Sequence, residues 1–204
     1  MVSITKLTIG DLPTNCYVLS ENGSCIVVDP GSDYIADIRL IRNSIGDNQL
    51  LAVICTHNHF DHIMGAHHFE APCYLHGEDI ETLEQSKVLS KRIVGVDMTL
   101  PADLRPLSED MSLGPFSFKA LYTPGHSPGS CLLFFEEEGI LLSGDTLFAG
   151  ACGRTDLPGS DLEAMNRSLR RLLEFPDDLA VYPGHGPKTS IGAEREWIER
   201  FLSP

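Results

Sequence analysis

Four apolar runs in this chain each end on a residue type that binds metals: "LLAVICTH" on His57, "FKALYTPGH" on His126, "GILLSGD" on Asp145 and "LAVYPGH" on His185. Each run has the length and composition of a buried strand. Strands lying side by side in sheets bring their C-terminal ends to one edge, which is where open α/β sheets place ligands. Glycines beside His126, Asp145 and His185 permit the tight turns and close backbone approach that a buried site needs. The pattern therefore predicts a fold whose strands converge on a polar centre.

The first run continues into "THNHFDHIMGAHH", residues 56 to 68, which holds five of the eight histidines. His57, His59 and Asp61 alternate and share a direction only on extended backbone, whereas a helix would scatter them. Asp61 and His62 are neighbours, so aiming both at one centre requires a sharp turn. After it, Ile63, Met64, Ala66 and Phe69 predict a short amphipathic helix. This arrangement differs from His-Glu-x-x-His, in which two histidines on one helical face hold a single zinc.

Together the candidates are His57, His59, Asp61, His62, His126, Asp145 and His185, a nitrogen and oxygen set suited to zinc, iron or manganese rather than calcium. Seven ligands exceed one tetrahedral ion and divide naturally between two divalent ions. A carboxylate can bridge a pair about 3.5 to 4 Å apart, and such a pair stabilises hydroxide at neutral pH.

Strands are expected at about 3–9, 16–20, 25–29, 51–55, 116–122, 130–135, 139–143 and 179–182, and helices at 33–44, 63–69, 78–92, 161–173 and 193–202. In the helix over 161–173, Leu162, Met165, Leu169 and Leu172 fall at helical spacing behind a Ser160 or Asp161 cap. Strands alternating with helices indicate an α/β class. At 204 residues and 42% hydrophobic content, residues 1–204 are expected to form a single domain with ample core. The six cysteines are widely spaced without a C-x-x-C pair, which suggests neither a disulfide framework nor a thiolate zinc site. A net charge of −14 opposes nucleic acid at long range, and the short "RSLRR" does not reverse that. No apolar run approaches the roughly 18 residues of a membrane span. The N-terminus alternates like a strand and lacks signal-peptide features, so a cytoplasmic location is expected.

The stretches "THNHFDHIMGA", "TPGHSPGS", "SGDTLFAGACGRTDLPG" and "YPGHGPKTSIGAERE", with the N-terminal "NCYVL" and "VVDPGS", resemble the metallo-β-lactamase fold hydrolases, and among them the short glyoxalase II-like (hydroxyacylglutathione hydrolase-like) proteins. The resemblance implies an αββα sandwich of two mixed sheets bearing a dinuclear site, most commonly of zinc. By matching positions, His57, His59 and His126 would hold the first ion and Asp61, His62 and His185 the second, with Asp145 bridging. It also implies hydrolysis of a small-molecule thioester or ester by a bridging hydroxide, with Asp61 assisting proton handling. Larger glyoxalase II enzymes carry an additional C-terminal helical region that grips glutathione. This chain stops at Pro204, so S-lactoylglutathione is one thioester among several. The alternative within the fold is a persulfide dioxygenase, using one non-haem iron on His57, His126 and Asp145. A non-enzymatic scaffold is a third reading, which the full ligand set disfavours. Nuclease members generally carry an inserted domain for which there is no room. The native metal, the acyl group, the thiol and the oligomeric state are left open.

Several other residues have plainer expectations. His67 and His68 are read as surface or packing residues and His76 as a turn residue. Asp29 in "VVDPG" is read as a structural carboxylate near the site, accepting backbone hydrogen bonds. Arg154 either anchors an anionic substrate group or pairs with Asp156. Cys152 has no readable activating partner and is read as a buried small residue. Residues 78–115 are expected to be a helix and a long connection beside the cleft, in which Leu89, Ile93, Val96 and Met98 either line a substrate wall or pack in the core.

Overall fold

The computed structural model describes residues 1–203. Among them, the first sheet contains β1 (Ser3–Ile9), β2 (Thr14–Glu21), β3 (Ser24–Val28), β4 (Gln49–Ile54), β5 (Cys73–Leu75) and β6 (Leu104–Pro106), in that spatial order. The second contains β7 (Asp110–Leu113), β8 (Phe116–Tyr122), β9 (Cys131–Phe135), β10 (Ile140–Gly144), β11 (Ala180–Pro183) and β12 (Thr189–Ser190), again neighbour to neighbour in chain order. Both sheets are mixed: β3 to β6 run parallel in the first, and β10 and β11 in the second.

Parallel neighbours need a crossover, and helices supply it. α1 (Ile35–Ile45) joins β3 to β4, and α5 (Leu162–Leu172) joins β10 to β11. The segment between β4 and β5 holds a single turn, α2 (Phe60–Ile63), followed by a 3-10 turn over Met64–His68. α3 (Gly77–Glu81) and α4 (Leu83–Ile93) lie between β5 and β6, and α6 (Ile191–Phe201) ends the fold.

Strand alternation sorts the core into three layers. In β3, Cys25 and Val27 face the helices with Ile38, Ile41, Phe60 and Ile63, whereas Ile26 and Val28 face the opposite sheet. Between the sheets these meet Phe116, Phe118, Leu133 and Phe135. On the far side, Leu132, Leu141 and Val181 pack under Met165, Leu169 and Leu172 of α5 and Ile198 of α6. The result is the αββα sandwich of two mixed sheets that the resemblance implies.

The predicted strands and helices are present, with four corrections. In place of the helix expected over 63–69 the chain makes the single turn α2, starting at Phe60, and the 3-10 turn over Met64–His68. The helix expected over 78–92 is two, because Thr82 leaves helical geometry (φ −105°, ψ 9°). Its hydroxyl bonds back to the Glu78 carbonyl at 3.0 Å and accepts from Asn58 Nδ2 at 2.8 Å. The connection after it contains β6 and β7, too short and polar to show a period. In α5 the cap is Asp161, which accepts from the backbone N–H groups of Glu163 and Ala164, and Leu162 is exposed rather than packed.

Candidate metal centre

All seven ligand-type residues meet at the C-terminal ends of β4, β8, β10 and β11. His57 follows β4 by three residues, His126 follows β8 by four, Asp145 directly follows β10, and His185 follows β11 by two. His59 is still extended (φ −61°, ψ 142°), but the helical turn starts at Phe60, so Asp61 and His62 project from α2 rather than from extended backbone. Gly184 is fixed by this crowding: a Cβ there would lie 2.3 Å from Asp145 Oδ1 and 2.7 Å from His62 Cε1.

Among the described residues four groups have donor atoms close enough to share an ion: His57, His59 and His126; Asp61, His62 and His185; His57, His62 and Asp145; and, away from these, Asp33, His67 and His68. Asp145 stands between the first two. Its Oδ2 is 3.3 Å from His126 Nε2 and 3.6 Å from His185 Nε2, and its Oδ1 is 3.3 Å from His62 Nε2.

The outer nitrogens of four rings are engaged by the protein, which sets the tautomers. His62 Nδ1 donates to Asp29 Oδ2 at 3.0 Å, His126 Nδ1 to the Arg154 carbonyl at 2.8 Å, and His185 Nδ1 to the Pro13 carbonyl at 3.3 Å. Thr56 Oγ1 donates to Asp29 Oδ2 and is left to accept from His57 Nδ1 at 3.1 Å. Each of these rings therefore turns Nε2 inward, where it offers a lone pair once the ring is neutral. His62 Nε2 and His185 Nε2 face each other at 3.4 Å, and His57 Nε2 and Asp145 Oδ1 are buried without any hydrogen-bond partner. Converging lone pairs and orphaned buried acceptors fit a site for divalent cations.

The electrostatics divide the rings of the metal-free protein: burial lowers His62, but Asp145, Asp29 and Asp61 outweigh it and raise the ring to about 10, so an ion bound there must displace a proton. Burial first, then the neighbouring imidazoles, holds His57 well below the ordinary histidine range and His59 down at about 3, so both offer neutral nitrogen. Burial pushes the Asp145 carboxyl up, but His62, His126 and His185 outweigh it and hold the group far below the carboxylate range. Asp61 is lowered by the same contest, with His62 and His185 against burial. Both carboxylates are ionised at neutral pH.

Sequence reasoning missed the residues that support this centre. Asp79, fully buried, accepts from Asn58 N at 2.8 Å, Ser127 Oγ at 2.8 Å and Gly129 N at 2.6 Å, tying the loop that carries His57 and His59 to the loop after His126. In the sequence it looks like an ordinary acid in a helix's first turn. Asn15 and Tyr17 of β2 hold the His185 loop across the sheets: Asn15 Nδ2 donates to the Pro183 and Gly186 carbonyls, and Tyr17 Oη donates to Pro183 O at 2.6 Å. Asp29 does stand beside the site as expected, and it also accepts from Thr56 N at 2.8 Å.

The remaining candidates lie apart from the seven. His67 and His68 are half-buried and turn to Asp33, 3.5 and 2.6 Å from its Oδ1. His76 caps α3 and stacks on Tyr122. Cys152 is half-buried, with burial pushing its thiol up. Arg154 donates from both Nε and Nη2 to Asp156, at 2.6 and 2.7 Å. Arg154 and Cys152 line a cleft of about 430 Å³ that opens over the centre, walled by Leu12, Phe60, Leu89, Ile93, Phe148 and Leu157. Val96 and Met98 pack in the outer core instead. No helix among the described residues is long and apolar enough to cross a membrane.

Two packed mixed sheets with a histidine and aspartate cluster at their common end define an α/β metal-site sandwich. The chain belongs to the Metallo-beta-lactamase superfamily, whose family profile matches residues 9–185. It is 34% identical over 202 residues to the Probable metallo-hydrolase YqgX of Bacillus subtilis (strain 168), covering 94% of this chain and 93% of that one. Hydroxyacylglutathione hydrolase GloC of Haemophilus influenzae is 31% identical over 191 residues, 89% of each chain. Among solved structures, TTHA1623 in a di-iron-bound form superposes with a TM-score of 0.82 at 37% identity, over 94% of this chain and 96% of that one.

Proposed function

We propose that the protein is a metal-dependent hydrolase of small-molecule thioesters or esters, built around a dinuclear centre. The observation that carries the proposal is the position of Asp145 between a three-histidine group and an Asp61, His62 and His185 group. A mononuclear iron site on His57, His126 and Asp145 would leave that second group without a task. The likeness to GloC supports a thioester. Zinc is the metal proposed, and the di-iron form of TTHA1623 makes iron the first competitor.

When bound, two divalent ions supply a hydroxide nucleophile at neutral pH and polarise the carbonyl under attack. His57, His59 and His126 would hold one, Asp61, His62 and His185 the other, and Asp145 both. Asp29, Thr56 and the Arg154 and Pro13 carbonyls keep the rings in the ligating tautomer. Leu12, Phe60 and Phe148 wall the cleft and would shield the carbonyl from water once a substrate covers them. Asp61 lines the cleft, where its carboxylate can take the proton released from the nucleophile. In the net reaction a water oxygen bonds to the carbonyl carbon, the carbon–sulfur bond of a thioester or the carbon–oxygen bond of an ester breaks, one water proton goes to the leaving thiol or alcohol, and the other is released with the carboxylate. Arg154 would meet the outer part of the substrate through the N–H groups that its pair with Asp156 leaves over, or by exchanging that partner.

The test is metal analysis of purified protein together with a thioester and ester panel. Close to two ions per chain and turnover of at least one thioester or ester are expected. One iron per chain, with oxygen uptake on glutathione persulfide and no hydrolysis, would replace this reading with the dioxygenase.

A further inference from the structure

The mouth of the cleft is apolar where a metal site facing water would be polar. Leu12, between β1 and β2, is 40% exposed and Ile93, at the end of α4, is 53% exposed, and both line the cleft with Leu89, Phe148 and Leu157. Large apolar side chains gathered in the open around a reactive centre mark a surface meant to be covered.

Charge points the same way. Among the described residues, Arg154 is the only lysine or arginine lining the cleft, and its guanidinium fork is already filled by both oxygens of Asp156. An anionic ligand has to compete for that fork with a partner two residues away in the same chain.

We infer that the natural substrate carries an uncharged apolar group next to its scissile carbonyl, seated against Leu12, Leu89, Ile93 and Phe148, and that Asp156 disfavours anionic thiols by occupying Arg154. The inference rests on the hydrolase reading above. The apolar group belongs either to the acyl part or to the thiol or alcohol part, since both flank the carbonyl.

The metal-loaded protein separates these. One arm lengthens the acyl chain, acetyl to octanoyl, on N-acetylcysteamine; the other lengthens the thiol, propyl to octyl, on acetyl; S-lactoylglutathione is the anionic reference. The value of kcat/KM is expected to climb about fourfold per added methylene over the first few carbons on one arm, and to exceed that for S-lactoylglutathione. Ile93→Ser and Leu12→Ser, at exposed positions, flatten that climb. Asp156→Ala raises S-lactoylglutathione turnover at least threefold relative to the best neutral substrate. Independently of turnover, a long-chain methyl ketone, which cannot be hydrolysed, shifts the methyl NMR signals of Leu89 and Ile93. A flat response on both arms, an unmoved ratio in Asp156→Ala, or unmoved methyl signals each overturns the inference while leaving the hydrolase intact. Failure to hydrolyse any member of the panel overturns the hydrolase reading and this one with it.

Discussion

Asp29 holds His62 from behind: its Oδ2 accepts from Nδ1 at 3.0 Å, while the opposite nitrogen of that ring faces Asp145 at 3.3 Å. The carboxylate is 1% exposed and sits on left-handed backbone (φ 54°), a conformation that aspartate and asparagine tolerate better than other side chains. It reaches His57 as well, through Thr56.

Asp29→Asn is therefore expected to fold and to lose about 10- to 100-fold in metal affinity, because the amide cannot accept from all three donors. Competition with a chelator of known affinity measures it, and unchanged affinity would remove Asp29 from the centre.

Asp145→Ala is expected to empty both ion positions, since that carboxylate approaches members of both ligand groups. Metal analysis should show fewer than one ion per chain, with the far-UV circular dichroism of the parent. His67→Ala, at a half-buried position facing Asp33, should retain two ions.

Gly184→Ala puts a methyl group 2.3 Å from Asp145 Oδ1, so the carboxylate or the His185 loop must move. Metal binding and hydrolysis are expected to fall at least tenfold, since a displacement of about 1 Å in a catalytic constellation costs roughly 100-fold. Gly77→Ala meets nothing within 4 Å and should bind metal normally.

The metal-free protein should have a stability maximum near neutral pH. Burial, the first cause, holds His59 at about 3 against about 6.5 in the unfolded chain, so unfolding takes up a proton between those values. Stability is lost as pH falls through that window, by about 2 kcal/mol at pH 5. His62 acts with the opposite sign: burial lowers it, but Asp145, Asp29 and Asp61 outweigh burial and raise it to about 10. Its contribution is complete below about 6.5 and is lost as pH climbs toward 10. Denaturant midpoints at pH 5, 7 and 9.5 in chelator check both arms, and a midpoint highest at pH 9.5 would contradict them.

Much of the arrangement is legible in the sequence because it rests on local signals. An apolar run of strand length ending on a ligand-type residue, with glycine beside it in β8, β10 and β11, marks both an element and where it ends, which is why β4, β8, β10 and β11 and their four ligand-type residues could be placed. The "THNHFDHIMGAHH" stretch gives away its turn because Asp61 and His62 cannot otherwise aim together. What escapes is support across the chain. Asp79 and Asn58 are 21 residues apart, and Asn15 and Gly186 are 171 apart, so no periodicity links them. The strands β6, β7 and β12, at two to four residues, take their conformation from their neighbours rather than from their own composition. The break at Thr82 depends on Asn58, which the helical pattern around it cannot reveal.

Because each sheet is laid down in chain order, the backbone passes from one sheet to the other once, between Pro106 and Asp110. His57, His59, Asp61 and His62 stand before that passage, and His126, Asp145 and His185 after it. Neither stretch owns the complete cluster of ligand-type residues, so on the proposed function a pair of fragments cut there would be individually inert. They would regain a reactive centre only by reassembling, with any captured cation acting as a clasp across the seam.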